Sequence, residues 1–201
     1  MAPERDASRV ASSPLALEGA PDVVIDGTER RRQRPTNAAQ HKEQSSGKKK
    51  THTDKHLVLI KAHTTQVVYL GPTVAGKTHD KKAAAATQMG YPTNATLGKE
   101  TGFQGYEPAG VLTRQPQKKP KGQELSVEDR FFNHLISSAR VVVENVLAGV
   151  KRCRIVKDVL RLTTVGISDL VMEIACGLHN LRVSCRHPFP TFDVLSLLNP
   201  G

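Results

Sequence analysis

The feature that most constrains the fold is a long stretch with apolar side chains at helical spacing. Ser126 is a good N-cap, and Glu128 and Asp129 lie in the first turn, where carboxylates interact favourably with the helix dipole. From there to Val150, apolar residues recur at intervals near 3.6, namely Phe132, Leu135, Ile136, Ala139, Val143, Val146, Leu147 and Val150. The pattern predicts one long helix whose apolar stripe packs on another layer of structure.

Short runs rich in β-branched residues precede this helix and predict that layer. They lie at residues 23–25, 56–60, 66–70, 96–97 and 111–113. The short polar link between the second and third runs predicts a hairpin. A short helix is expected from Asp80 to Thr87, which includes four consecutive alanines, and another after Ser168, where Leu170, Ile174 and Leu178 are four apart. The order of elements predicts an α/β fold, a mixed sheet with flanking helices.

The polar segments of the chain predict where its folded domain begins and ends. Residues 1–20 are rich in Ala, Ser, Pro and charge, and we expect a disordered lead-in. Residues 21–186 are expected to form one domain, and residues 187–201, with three prolines, an irregular tail. The stretch from Glu29 to Lys50 is polar and basic, so we expect it to run over the surface.

Charge and cysteine content limit the partners and the compartment. Lys plus Arg number 29 against 19 Asp plus Glu, a net charge of +10, which favours nucleic acid first and an anionic membrane second. A basic protein without such a partner stays possible on charge alone. No apolar run approaches the roughly 20 residues that span a bilayer, so no membrane association is expected. The chain has three cysteines and no Cys-x-x-Cys pair. This pattern is typical of a reducing compartment such as the cytoplasm and argues against a structural zinc site.

Three acidic residues stand at the ends or on the faces of predicted elements. Asp26 closes the first strand, Glu100 precedes a glycine-rich turn at 101–106, and Glu144 lies on the long helix. The residues around them, together with those at 115–122, 150–158 and 172–181, resemble the DDE insertion-sequence transposases in the same order. The resemblance covers about residues 22–186. It implies a ribonuclease-H-like fold and metal-dependent DNA strand cleavage and transfer.

The resemblance also implies which residues form the site and what they bind. Asp26, Glu100 and Glu144 would be the catalytic carboxylates and would hold two Mg²⁺ (or Mn²⁺) ions. Mg²⁺ prefers hard oxygen ligands, and two ions about 3.5–4 Å apart serve both ends of an in-line displacement at phosphorus. The partner would be DNA, as transposon ends and target, with a possible homodimer on the DNA. We therefore expect the protein in the cytoplasm, associated with the nucleoid.

One face of the long helix carries further polar residues. Steps of about 100° per residue place Asn133, Ser137, Arg140, Glu144 and Lys151 within roughly 60° of one another. By resemblance, Arg140 and Lys151 would contact the DNA end near the scissile phosphate. Ser137 stands where some related families have Tyr, so no stacking role is predicted there. The simpler alternative for Arg140 and Glu144 is an i,i+4 surface pair.

Two departures from the family pattern leave a second hypothesis open. Glu100 stands where relatives usually have Asp, and one extra methylene moves the carboxylate by about 1.5 Å, while a 1 Å misplacement costs on the order of 100-fold in rate. About 25 residues precede Asp26, where relatives have a helical DNA-reading region. We therefore expect a truncated element whose end recognition is lost or supplied in trans. It is either an active enzyme or a non-catalytic basic DNA-binding remnant.

Basic loops and a phosphate-loop pattern complete the candidates. Lys48 and Lys49, and Lys118 and Lys119, are predicted to contact the DNA backbone without reading sequence. Residues 71–78 satisfy the pattern Gly, four residues, Gly-Lys-Thr, with Lys77 as its lysine, between a predicted strand and a predicted helix. Pro72 stiffens this loop, and no later strand ends in an Asp suited to Mg²⁺. A nucleotide hydrolase is therefore the third hypothesis.

Overall fold

The computed structural model describes residues 1–17, 22–47, 49–117, 119 and 124–186. A seven-stranded sheet organises these residues. Its strands are β1 Val23–Arg31, β2 Ser45–Ser46, β3 Thr51–Lys61, β4 Val67–Leu70, β5 Val74–Ala75, β6 Thr96–Lys99 and β7 Leu112–Arg114. Each of the five predicted strand runs lies in or overlaps one of them.

The sheet is mixed, and β1 lies at its centre. The strand order is β2-β3-β1-β6-β7, with β4 and β5 also paired to β3. β1 pairs antiparallel with β3 and parallel with β6, and β6 pairs parallel with β7. The predicted hairpin is confirmed, because β3 and β4 pair antiparallel. This architecture confirms the predicted α/β class and is compatible with a ribonuclease-H-like fold.

Six α-helices flank the sheet in the described part of the chain. They are α1 Pro14–Leu17, α2 Ala38–Gln44, α3 Asp80–Thr87, α4 Val127–Val150, α5 Arg154–Lys157 and α6 Ile167–Ser184. The predicted bounds of α3 and α4 are confirmed. Ser126 is the N-cap of α4, since its Oγ accepts a hydrogen bond of 2.9 Å from the amide of Asp129.

The two faces of the sheet bury separate apolar clusters. Alternate residues of β1 divide between them, so Ile25 packs with Val10, Leu15 and Ala84, whereas Val24 packs under α4 and α6. The predicted stripe of α4 is confirmed at four of its positions, since Ile136, Val143, Val146 and Val150 are buried. The side chains of Phe132, Leu135 and Ala139 lie outside the described part.

The expectation of a disordered lead-in is wrong for residues 1–17. These residues form a 3-10 turn at Ala7–Ser12 and α1, and Val10 is fully buried. The amide of Glu4 donates to the Val68 carbonyl at 2.8 Å, and buried Lys61 donates to two carbonyls of α1. A few well-placed apolar residues and these long-range bonds outweigh a polar composition. The tail at 187–201 lies outside the described residues.

The expected surface excursion after the first strand is wrong for its first residues. β1 continues to Arg31, and Arg30 is buried. Arg30 Nη2 donates to Ser168 Oγ at 2.7 Å, and that hydroxyl donates to Asp54 Oδ2 at 2.8 Å. The charge of this buried cation is partly compensated by Asp54, whose Oδ2 lies 3.9 Å from Nη2, while its Nε and Nη1 have no hydrogen-bond partner among the described residues.

The helix predicted after Ser168 is present, but the stripe that predicted it points away from the sheet. Leu170, Ile174 and Leu178 are each about half exposed. The buried face holds Met172, Ala175 and Cys176, and it ends in Asn180. The Asn180 side chain accepts from the Val67 amide at 2.8 Å and donates to the Val67 carbonyl at 2.9 Å. This amide fastens α6 to the backbone of β4.

Candidate active site

Two of the predicted carboxylates emerge side by side from the centre of the sheet. Ile25 and Lys99 are partners in the parallel pairing of β1 and β6, and Asp26 and Glu100 follow them directly. Neighbouring strands are about 4.8 Å apart, so consecutive positions on them are close. β6 ends at Lys99 while β1 continues, which opens a gap in the sheet beside Asp26.

The gap is part of a pocket between the sheet and α4. Its volume is about 260 Å³, and Asp26 and Glu100 both line it. Apolar walls come from the sheet and from α4, including Val24, Ile136 and Val143. Three members of the predicted polar face of α4 also line the pocket, namely Asn133, Ser137 and Arg140. The helix therefore presents that face to the two sheet carboxylates.

Arg140 links the third carboxylate to this pocket. Its Nε lies 3.2 Å from Glu100 Oε1 and 3.1 Å from Glu144 Oε1. Both oxygens contact the same nitrogen, so they lie within two hydrogen-bond lengths of each other. The side chains of Arg140 and Glu144 are 58% and 62% exposed, so each ion pair contributes about 1 kcal/mol or less. The structure thus contains the i,i+4 pair considered from sequence, extended to Glu100.

Asp26 is held by its neighbours on β1. Its Oδ1 accepts a hydrogen bond of 2.7 Å from the Gly27 amide, and the side chain is half buried. Gly27 leaves room for Asp80, because a Cβ there would lie 2.6 Å from Asp80 Oδ1 and would displace that side chain. Asp80 pairs with Lys55 at 2.8 Å and does not line the pocket. Asp80 therefore supports β1 from behind and is not one of the pocket carboxylates.

The turn that carries Glu100 is fixed from the side opposite the pocket. Glu100 begins the 3-10 turn Thr101–Phe103, whose Phe103 is buried, and its side chain makes no capping bond. Fully buried Lys99 donates to the Tyr106 carbonyl at 2.5 Å and pairs with Glu107. The hydrogen bond from Lys99 holds the pKa of Glu107 below its ordinary value. The backbone is anchored, and the Glu100 carboxylate is left to face Arg140.

The three carboxylates suit a hard cation but are not gathered into one cage. Among the described residues, no three His, Cys, Asp or Glu side chains approach closely enough to hold a metal ion. A guanidinium lies between Glu100 and Glu144 instead, which marks a position where a cation is favourable. Carboxylate oxygens are the ligands that Mg²⁺ prefers. Joint binding of a divalent ion by these carboxylates would require Arg140 to move away from Glu100 and Glu144.

The lysines predicted to contact DNA are scattered around the domain. Lys151 is the C-cap of α4, half buried, about 10 Å along the helix axis from Glu144. Lys49 is exposed in the turn between β2 and β3, and Lys119 pairs with Glu124 at 3.0 Å. Lys48 and Lys118 lie outside the described residues. None of the three described lysines lines the pocket, and their contact with DNA stays a prediction.

The residues of the phosphate-loop pattern at 71–78 pack and form hydrogen bonds within the domain. β5 lies in the middle of this segment and pairs with β3, and the amides of Thr73, Gly76 and Thr78 donate to Asp169, Thr53 and Ala75. A Cβ at Gly76 would lie 2.0 Å from Thr53 Oγ1, which explains that glycine. Phosphate binding by such a loop needs free amides directed at the ligand, so the geometry does not favour a nucleotide site.

Sequence reasoning missed one interaction that shapes the pocket. The Asn133 side chain accepts from the Gln117 amide at 2.8 Å and donates to the Gln117 carbonyl at 2.9 Å. This bidentate contact fastens the loop before α4 over the pocket, where Pro116 forms part of the wall. A polar residue inside an otherwise apolar helical stretch was the available signal. Its partner was not readable, because it lies in an irregular loop.

Comparisons with known proteins identify the family of this chain. A family model described as DDE superfamily endonuclease matches residues 25–180, which contain Asp26, Glu100 and Glu144. A probable transposase for insertion sequence element IS702, from Microchaete diplosiphon, is 32% identical over 124 residues. The match covers 62% of this chain and 44% of that transposase. No solved structure matches the chain significantly. In the described part, no helix is long and apolar enough to cross a membrane. The chain belongs to the DDE superfamily endonuclease family.

Proposed function

We propose that this chain is the catalytic core of an insertion-sequence transposase, which cleaves DNA strands and joins them to a target. The observation that carries the proposal is the convergence of carboxylates at the gap beside β1. Asp26 and Glu100 line one pocket, and Glu100 and Glu144 share a single cationic partner. Membership of the DDE endonuclease family supports the interpretation of these carboxylates as the residues that cleave a phosphodiester.

Asp26, Glu100 and Glu144 are proposed to hold two divalent ions, Mg²⁺ or Mn²⁺. When bound, such ions activate the attacking oxygen and stabilise the leaving oxygen of a phosphodiester. Asp26 contributes rigidity, because its strand is paired with β3 on one side and supported by Asp80 behind Gly27. Glu144 belongs to α4, which forms the opposite wall, and it is connected to the pocket through Arg140. The apolar walls of the pocket limit the water around the reacting phosphate.

Arg140 is proposed to change partners during the reaction. In the structure it neutralises Glu100 and Glu144 through exposed ion pairs. Such pairs are weak, so replacing the guanidinium with another cation costs little. Arg140 then becomes available to a phosphate, which its planar donors bind well. Lys151, two turns further along α4, extends the same contact surface.

The proposed partners are transposon ends and target DNA. The net charge of +10 supports binding to a polyanion, with the loop lysines as backbone contacts. Two copies would meet on the DNA. This function implies association with the nucleoid.

The test is nicking of supercoiled plasmid in the presence of Mg²⁺ or Mn²⁺. We expect the wild type to nick, and Asp26→Asn and Glu144→Gln to lose at least 100-fold in rate. Glu100→Asp should nick at least as fast as wild type, because it restores the residue usual in the family. Glu128→Gln, an exposed change on the same helix, is the matched control and should nick like wild type.

Two results would contradict the proposal. Nicking that survives Asp26→Asn and Glu144→Gln would come from a different site or a contaminant. The absence of nicking in both wild type and Glu100→Asp would instead favour the second candidate, a non-catalytic DNA-binding protein. The longer Glu100 side chain and its engagement with Arg140 are the observations that favour this alternative.

A further inference from the structure

The edge of β1 that opens beside Asp26 is covered again further along the strand. β3 occupies the other edge of β1 over its whole length. On the open edge, β6 pairs only as far as Ile25, and the next partner is Leu160. The Leu160 amide donates to the Arg31 carbonyl at 2.9 Å, and its carbonyl accepts from the Gln33 amide at 2.8 Å. The segment at 157–161 therefore flanks the same edge as Glu100.

This junction forms a basic groove, defined by Arg31, Lys157, Asp158, Val159 and Arg161. Its volume is about 560 Å³. The three cations are exposed, and none of them forms an ion pair with a described residue. The single acid, Asp158, is already neutralised by Arg154, whose Nε lies 3.2 Å from Asp158 Oδ2. The basic groove therefore has uncompensated positive charge.

The side chains of Asp26 and Arg31 point to opposite faces of β1, so the basic groove and the candidate active site are connected across the open edge of this strand. Five residue steps along β1 lead from Asp26 to Arg31, a distance of about 16 Å, or roughly five base pairs of DNA. A second connection runs along the chain, from Glu144 through Lys151 at the end of α4 to α5, which packs on β1. A duplex that reached the basic groove from the pocket would cross this open edge.

We propose that the basic groove binds the phosphate backbone of a DNA duplex whose strand lies at the Asp26 pocket. The inference rests on the proposed function, because the pocket defines which polyanion is present. Arg31, Lys157 and Arg161 each contact a phosphate and read no sequence. The basic groove adds affinity and fixes the direction of the duplex across the edge of β1.

The experiment measures binding of an arbitrary 30-base-pair duplex in EDTA at several NaCl concentrations. The variant is Arg31→Gln, Lys157→Gln, Arg161→Gln, and the matched control is Arg9→Gln, Lys42→Gln, Lys82→Gln, three exposed cations outside the groove. Each phosphate contact contributes about 0.9 to the slope of log K against log salt, so the groove variant should lose nearly three units. The control should lose less than about one unit.

Each outcome decides the proposal. Equal losses in both triple variants mean that only net charge matters, and an unchanged slope in the groove variant means that DNA does not occupy the groove. Either result overturns the proposal, as does a larger loss of binding to anionic phospholipid vesicles than to duplex. Melting temperatures equal to wild type show that the variants fold. The binding assay needs no metal, so it is independent of catalysis. If wild type fails to nick plasmid but the groove variant still loses salt dependence, only the proposed function is overturned.

Discussion

At the scale of single residues, burial and neighbouring charges shift the pKa values of several ionisable side chains, most clearly around His56. His56 is fully buried, its Nε2 lies 2.9 Å from Thr73 Oγ1, and Asp169, Arg30 and Asp54 surround it. Burial lowers the pKa of His56. His56, whose Nε2 lies 3.7 Å from Asp169 Oδ1, and Arg5, which donates to the same oxygen at 2.6 Å, hold the pKa of Asp169 well below its usual range. This cluster joins β3, the loop after β4 and the start of α6.

The lowered pKa of His56 predicts a loss of stability in mild acid. The unfolded chain binds a proton to this histidine below about pH 6.5, and the folded chain resists it, so stability is complete above that pH and falls below it. We expect His56 to contribute a fall of up to about 1.4 kcal/mol per pH unit below pH 6.5 in the free energy of unfolding, measured with urea. His56→Gln should be less stable at pH 8 but less sensitive to acid.

The control for this prediction is His63→Gln, which changes an exposed histidine and should keep the pH dependence of wild type. His179, whose pKa is also lowered by burial, leaves part of the dependence in both variants. A His56→Gln variant with the full dependence of wild type would show that the titration lies elsewhere.

At the scale of elements, the sequence predicted helices more reliably than their orientation. For α4 a single apolar stripe alternates with polar residues, so its period indicates both the helix and its buried face. α6 is apolar on two sides, and the stripe at Leu170, Ile174 and Leu178 is as regular as the one at Met172 and Ala175. The choice between them depends on Asn180, which bonds to β4, and on the charged partners near Ser168. Those partners lie far away in sequence and leave no local pattern.

The orientation of α6 predicts unequal effects of truncating neighbouring side chains. Met172 is almost completely buried and Ile174 is about half exposed. Met172→Ala should lower the free energy of unfolding by about 2–5 kcal/mol, because it leaves a cavity under the helix. Ile174→Ala, the control on the same helix, should change it by about 0.5 kcal/mol or less. Equal losses in urea titrations would mean that α6 packs through its other stripe.

At the scale of the whole molecule, the candidate site exists only when distant elements meet. The family resemblance predicted the three carboxylates, and the structure brings Asp26 and Glu100 together through the parallel pairing of β1 and β6. No local pattern indicated that Arg140 also contacts Glu100, since that contact depends on how α4 crosses the sheet. Any ion that binds these carboxylates binds the folded chain, and so it stabilises the whole domain.

This linkage predicts a thermal shift. Mg²⁺ or Mn²⁺ at constant ionic strength should raise the melting temperature of wild type, with about 2.7 kcal/mol of stabilisation at a concentration 100 times the dissociation constant. Glu144→Gln should reduce the shift, whereas Glu128→Gln should keep it. A shift of equal size in Glu144→Gln would place the ions elsewhere, whatever the result of the nicking assay.

The packing of the first 17 residues determines how this domain can be trimmed. The family match begins at residue 25, yet Val10 and Leu15 belong to the same apolar cluster as Ile25, and the Met1 carbonyl accepts a hydrogen bond from Asn180 on α6. The segment that matches the family is therefore shorter at its N-terminal side than the segment that packs into the folded domain. A fragment that began at residue 25 would expose one side of its central sheet to water. It would also lose the hydrogen bond that joins the N-terminal segment to α6.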